Sequence, residues 1–139
     1  MKITNGNILI FTVIMHSLFG ITPFAFGKQF TSFSSSFFFK ISEGLSEFPL
    51  LNGVMNYENF AAFWFFYFGL LVIPIGFLVN FIESENKVLS KQFVTSYLIV
   101  VLLGVFMIPF SGMTLFMLPH ALFMFIQNRK LRLKLNNDN

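Results

Sequence analysis

Two histidines, His16 and His120, are the side chains in this 139-residue sequence best placed to do chemistry, because each stands inside a long stretch free of Asp, Glu, Lys and Arg. An ionisable group in such surroundings is costly and is a candidate for function by default. Counted at about 1.5 Å per residue from Asn7 and from Asn128, both fall roughly 12 to 14 Å along their stretches, so two imidazoles on separate helices would stand at one depth. A pair so placed can ligate a haem or another metal through neutral ring nitrogens. The plainer reading is that each histidine stays neutral and acts as glue between helices, hydrogen-bonding to backbone carbonyls or to hydroxyls such as those of Thr12, Ser17 and Ser111. No carboxylate is evident that would orient a ligating imidazole, so no cofactor is predicted and haem is the alternative. Trp64 and Tyr67 are the other residues that would line a site for an apolar ligand.

Other chemistries are excluded residue by residue. There is no cysteine, hence no disulfide, thiolate metal site or cysteine nucleophile. A phosphate loop, a zinc HExxH, a G-x-S-x-G elbow and an N-x-S/T sequon are all missing. Glu58 and Glu83 fall at opposite rims of the apolar runs, so the chain lacks the membrane-embedded carboxylate that a proton- or cation-coupled small multidrug exporter needs. Glu58 is read as a solvated residue ahead of the second run. The net charge of +3 does not point to nucleic acid, because four of nine basic residues, Arg129, Lys130, Arg132 and Lys134, sit directly after the last apolar run. That is a membrane-orientation signal, and it would also attract anionic lipid by about 1 kcal/mol per residue.

The elements that must position the histidines follow from composition. Hydrophobic residues make up 55% of the chain and charged ones 11%, with 23 phenylalanines and a mean hydropathy of +0.74. An ordinary soluble domain carries about 25% charged residues. Runs free of charge extend over Ile3 to Gly27, Asn59 to Ile82 and Gln92 to Asn128, and a spanning helix needs roughly 20 mainly apolar residues. The first run predicts a span over about 7–26, retained rather than cleaved as a signal peptide, with Pro23 tolerated near its end. The second predicts a span over 60–82, in which Ala62, Gly69 and Gly76 repeat at seven and give a packing face, and Trp64, Tyr57 and Tyr67 make an aromatic belt at one end. The third run is too long for one crossing and carries Pro109, Phe110, Ser111, Gly112 at its middle, so it predicts a hairpin of two short spans, 93–108 and 113–126. Tyr97, Gly104 and Ser111 repeat at seven along it. Between the first two spans lies a long serine- and phenylalanine-rich loop, of which about Phe30 to Ile41 reads as an amphipathic segment on the membrane surface. Residues 129–139 read as a basic polar tail.

Four spans put both termini and the loop from Glu83 to Lys91 on one side, with seven basic residues there against two, Lys28 and Lys40, on the other. By the positive-inside rule the termini are cytoplasmic. The fold class expected is therefore all-α, an integral membrane four-helix bundle with short hairpin loops and one longer external loop, packed through the glycine faces of spans two and three.

A scattered pattern then adds a resemblance. Asn5 and Gly6 precede the first span and His16 and Gly20 lie in it; Ala62, Phe63, Trp64, Phe65, Gly69 and Gly76 mark the second; Gly104, Pro109, Ser111, Gly112 and Pro119 follow. Over about residues 5 to 126 the chain resembles an uncharacterised group of small bacterial four-span membrane proteins defined as a domain of unknown function. It departs where Asn7 stands in place of a basic residue and Met113 in place of an aromatic. The resemblance implies four spans and a bacterial inner membrane, and brings no activity with it. The function expected is that of a non-catalytic structural or interaction protein, partnered by the lipid bilayer and by a second copy or another membrane protein, with no nucleic acid. The alternative is an intramembrane binding module for haem, quinone or another apolar ligand. A third class, an enzyme acting on a lipid-like substrate, would have only the two histidines as acid and base.

Overall fold

The computed structural model describes residues 4–37, 50–51, 54–85 and 87–137. Among them the chain is helical, apart from a short antiparallel ladder in which β1 (Leu50–Leu51) pairs with β2 (Val54–Met55). The helices are α1 (Asn5–Gly20), α2 (Gly27–Phe37), α3 (Tyr57–Ser84), α4 (Lys91–Met107) and α5 (Leu118–Asn137), the last entered through a single wide turn at Met113–Met117.

The first apolar run does not hold one helix to Phe26. Pro23 has no N–H and disfavours helical geometry at Thr22 before it, so α1 stops at Gly20. Its exposed carbonyls are taken up locally: Thr22 donates to the Phe19 carbonyl from Oγ1 (2.7 Å) and from its backbone N–H, and the Phe26 N–H donates to the Gly20 carbonyl. The chain restarts at once as α2, which covers the first part of the expected surface segment; positions 38–41 of that segment, like Lys2 and Lys40 of the charge count, lie outside the described residues.

α3 begins where Asn56 Oδ1 accepts from the Asn59 N–H at 3.1 Å, with Glu58 in the first turn complementing the helix N-terminus. It continues past Pro74 and ends as Ser84 Oγ donates to the Phe81 carbonyl. α4 starts on Ser90, whose Oγ accepts from the Phe93 N–H at 3.1 Å. At its far end the Ile108 N–H returns to the Gly104 carbonyl, and Pro109 closes the helix as the residue types there predict. The wide turn that follows has a local cause. Pro119 has no N–H to donate, and its ring crowds the carbonyl four residues earlier; i to i+5 bonding opens the turn. Helical structure then runs through Arg129–Lys134 to Asn137, so the basic residues of the tail are carried on a helix.

Two compact units divide the chain, one of Met1–Thr12 with Ile73–Asn139 and one of Val13–Val72. In the first, α4 and α5 pack as a hairpin, and Leu9, Val79, Leu89, Val94, Val101, Ala121 and Met124 are buried. Gly6 and Gly76 let the start of α1 approach the last part of α3: a Cβ on Gly6 would collide with the Gly76 carbonyl and the Asn80 side chain, and one on Gly76 would collide with Ile10. In the second, Val13 and Ala62 are buried, and Gly69 faces Ser17 and His16. Gly69 and Gly76 of the second run therefore face α1. Gly104, the other expected packing glycine, is half-buried in α4.

Among the described residues one helix, α3, is long and apolar enough to cross a membrane, while Asn5–Gly20 and Lys91–Met107 are apolar but shorter. Large hydrophobic side chains stand exposed along the helices, among them Phe68 (58%), Phe77 (61%) and Phe106 (83%).

Candidate functional site

The two histidines belong to different units and have different partners. His16 is held by α3. Its Nε2 donates to the Phe65 carbonyl at 3.1 Å, its ring stacks on Phe65 at 4.0 Å, and next to it Ser17 Oγ donates to the Phe66 carbonyl at 3.4 Å. Both acceptors are helix carbonyls, which have a second lone pair to offer. Trp64 and Tyr67, in the same unit, meet each other edge to face at 6.1 Å within an aromatic row that includes Phe60, Phe63 and Phe68.

His120 is 5% exposed. The Tyr97 hydroxyl lies 3.0 Å from His120 Nδ1 and 3.8 Å from Met117 Sδ, so α4 grips the first turn of α5 through this contact. With the phenol donating to Nδ1, the imidazole proton sits on Nε2, which is buried without a hydrogen-bond partner. Both histidines are thus tied to a neighbouring helix, which is the arrangement of interhelical glue.

The densest polar arrangement is one that residue-type reasoning did not single out. In the first unit, α3 carries Asn80 and Glu83 one turn apart, and both turn toward the start of α1. Thr4 Oγ1 donates to Asn80 Oδ1, and Asn80 Nδ2 donates to Asn7 Oδ1 at 2.7 Å. Glu83 Oε2 accepts from the Asn5 backbone N–H at 2.9 Å and Oε1 accepts from Asn5 Nδ2 at 2.5 Å. The same Nδ2 donates to Gln127 Oε1 of α5 at 2.6 Å. Three helix segments are joined by one asparagine, which is 3% exposed, and Asn128 is buried beside it. A carboxylate at a helix N-terminus satisfies an orphan N–H and is favoured by the helix dipole, so Glu83 caps α1 from a neighbouring helix. Around this junction opens a narrow recess, lined by Asn5, Glu83, Gln127 and Asn128 with Lys87 and neighbouring apolar residues. Across it, Arg132 donates from Nη2 to the Leu89 carbonyl and closes the α3 to α4 loop onto α5.

The signal for this junction was present as polar residues at the ends of apolar runs, Thr4, Asn5 and Asn7 at one, Asn80 and Glu83 at the next, Gln127 and Asn128 at the last. Comparison with known proteins adds one match: a family model described as a family of unknown function (DUF6463) covers residues 1–130. No curated protein and no solved structure matches the chain.

Proposed function

We propose that this chain, which belongs to that family of unknown function, is a four-span protein of the bacterial inner membrane with both termini cytoplasmic, and that it works as a non-catalytic structural or interaction protein. The observation that carries the reading is the distribution of surface. Phenylalanine, leucine and isoleucine side chains stand exposed on α1, α3, α4 and α5, whereas soluble monomers rarely expose apolar patches beyond a few hundred Å². Lipid as the surrounding solvent accounts for that surface. Thr4, Asn5, Asn7, Asn80, Glu83 and Gln127 hydrogen-bond to one another at helix ends, as polar groups near an apolar solvent tend to.

Four crossings need α1 and α4 to serve as short spans. Their 16 and 17 residues measure about 24 to 26 Å, slightly under the hydrocarbon thickness, a mismatch that local thinning accommodates at modest cost. The fourth crossing is the wide turn with the first part of α5. Lys87, Lys91 and the basic residues of α5 then share the cytoplasmic side with the α1 N-terminus, as the positive-inside rule requires. The non-catalytic role is supported by the engagement of both histidines with neighbouring helices.

The absence of native cysteine makes single-cysteine labelling direct. Tyr57→Cys reacts with an impermeant maleimide in intact spheroplasts, whereas Ser84→Cys and Asn136→Cys react only after permeabilisation, and the protein resists carbonate extraction. Release by carbonate, or equal labelling at both ends, overturns the four-span reading. Native mass spectrometry of protein released from its own membranes tests the role: heterogeneous lipid or a co-purifying protein supports it, and one recurring adduct of defined mass replaces it with a ligand carrier.

A further inference from the structure

We propose that copies of this chain associate head to tail in the plane of the membrane, the Tyr67 hydroxyl of one copy donating a hydrogen bond to His16 Nδ1 of the next. The inference rests on the four-span reading and names what covers a surface that this reading leaves in lipid. His16 is exposed, yet its ring is held in one setting. Its Nε2 donates to the Phe65 carbonyl at 3.1 Å and it stacks on Phe65 at 4.0 Å, while its Cδ2 lies over Gly69, 3.1 Å from where a Cβ there would stand. The Cδ2–Nε2 edge therefore faces α3, and Nδ1, across the ring, turns away from it. In the neutral imidazole, donation from Nε2 leaves a lone pair on Nδ1, and among the described residues no donor reaches it.

Tyr67 supplies the complement independently. It is 40% exposed, its ring packs against Phe63 and Trp64, and its hydroxyl has no hydrogen-bond partner among the described residues. Both groups lie within the hydrocarbon layer of the four-span reading. The charge-free stretch Asn59 to Ile82 is centred between Leu70 and Leu71. At about 1.5 Å per residue, Tyr67 then stands about 5 Å, and Phe65 with His16 beside it about 8 Å, from the middle of a layer roughly 30 Å thick. Side chains lean toward the N-terminus of their helix, which brings the Tyr67 hydroxyl to the level of His16. There is no water at that depth, and an unmade hydrogen bond on either group is costly.

Acyl chains offer neither a donor nor an acceptor, whereas a second copy offers both at the matching depth. One copy cannot make the pair within itself. α1 packs on the Gly69 side of α3, and Tyr67, two residues before Gly69, lies about 160° around the helix from it. Donor and acceptor are therefore on different faces. A two-fold contact sets one face against itself and would bring His16 to His16, acceptor to acceptor. A heterologous contact, in which one face of a copy meets a different face of the next, brings donor to acceptor. Hydrogen bonds of this kind join helices inside membranes.

The test again uses the absence of native cysteine. Thr12 lies one turn from His16 on α1, and Leu71 one turn from Tyr67 on α3. The two helices run antiparallel, with Gly20 against Phe65 and Val13 against Gly69, so both turns lead to the same depth. Two differently tagged copies, one Thr12→Cys and the other Leu71→Cys, are co-expressed and their membranes oxidised with copper phenanthroline. The mixed disulfide forms, and each variant expressed alone stays monomeric. Tyr67→Phe or His16→Leu lowers the mixed yield several-fold, whereas His16→Gln, which keeps a donor for the Phe65 carbonyl and an acceptor for the neighbouring copy, retains it. No mixed disulfide, homotypic disulfides in equal yield, or a yield untouched by Tyr67→Phe overturns the proposal. Carbonate extraction of the same variants separates the two failures: a chain that inserts and gives no mixed disulfide loses this contact alone, and one that is released loses the four-span reading and this contact with it.

Discussion

Gly6→Ala isolates the close approach of α1 to α3. The added Cβ would collide with the Gly76 backbone carbonyl and with the Asn80 side chain. The carbonyl belongs to a helix and cannot step aside, so the helices must separate, an overpacking that costs about 1 to 3 kcal/mol. Asn80 can rotate away only by giving up its bonds to Thr4 or Asn7, at about 1 kcal/mol for each hydrogen bond lost. Against these stands the better helix propensity of alanine, about 1 kcal/mol. The net expectation is a loss of about 1 to 3 kcal/mol, or roughly 3 to 12 °C in melting temperature for a chain of this size. Gly112→Ala is the control, since its Cβ would meet only Phe116 Cδ2 at 4.0 Å and should stay within about 0.5 kcal/mol of wild type. Both are read by melting of detergent-purified protein with identical salt. A Gly6→Ala variant that melts at or above wild type, with Gly112→Ala unchanged, refutes the claim that this glycine is required by backbone contact.

Further expectations follow from the histidines and caps. Tyr97→Phe and His120→Leu, combined in a double-mutant cycle, should show a coupling of about 0.6 kcal/mol and no more than about 1.7; additive losses would mean that the hydroxyl and imidazole do not interact. The joint variant His16→Gln with His120→Gln should lose stability modestly and keep the same bound-molecule profile in native mass spectrometry, while disappearance of a chromophore or defined adduct would show that the pair holds a ligand. Ser90→Ala should cost about 1 kcal/mol through loss of the α4 cap, and Ser90→Asp should restore it; indifference of the melting temperature to both would remove the cap from the account.

Much of the helical layout is readable from residue types. Charge-free composition marks the long helix that became Tyr57–Ser84, and Pro109 with Gly112 marks the break between α4 and the next helical segment, because proline and glycine act locally. What fails is anything that depends on which face of a helix is covered. Where nearly every side chain is apolar, periodicity carries little contrast, so the spacing of Gly69 and Gly76 marks a packing face without naming α1 as the helix that meets it. The ending of α1 at Gly20 is carried by Pro23 alone, and the apolar residues that continue on both sides of it hide that signal. Glu83 reads from the sequence as a rim residue because its partner, Asn5, lies 78 positions away, and such a pairing emerges only when the helices have docked.

The wide turn at Met113–Met117 sets a phase as well as a shape. By bonding i to i+5 it accommodates one residue more than a regular turn would, so one residue there is surplus to helical register. Removing it would let the helix close as an ordinary α-helix and rotate everything before it by about 100° relative to the buried stripe of His120, Met124 and Asn128. Within α4 or the later part of α5 the same deletion would break a buried stripe. In this chain a one-residue deletion is therefore best accommodated at this turn, where losing a residue repairs a helix instead of interrupting one.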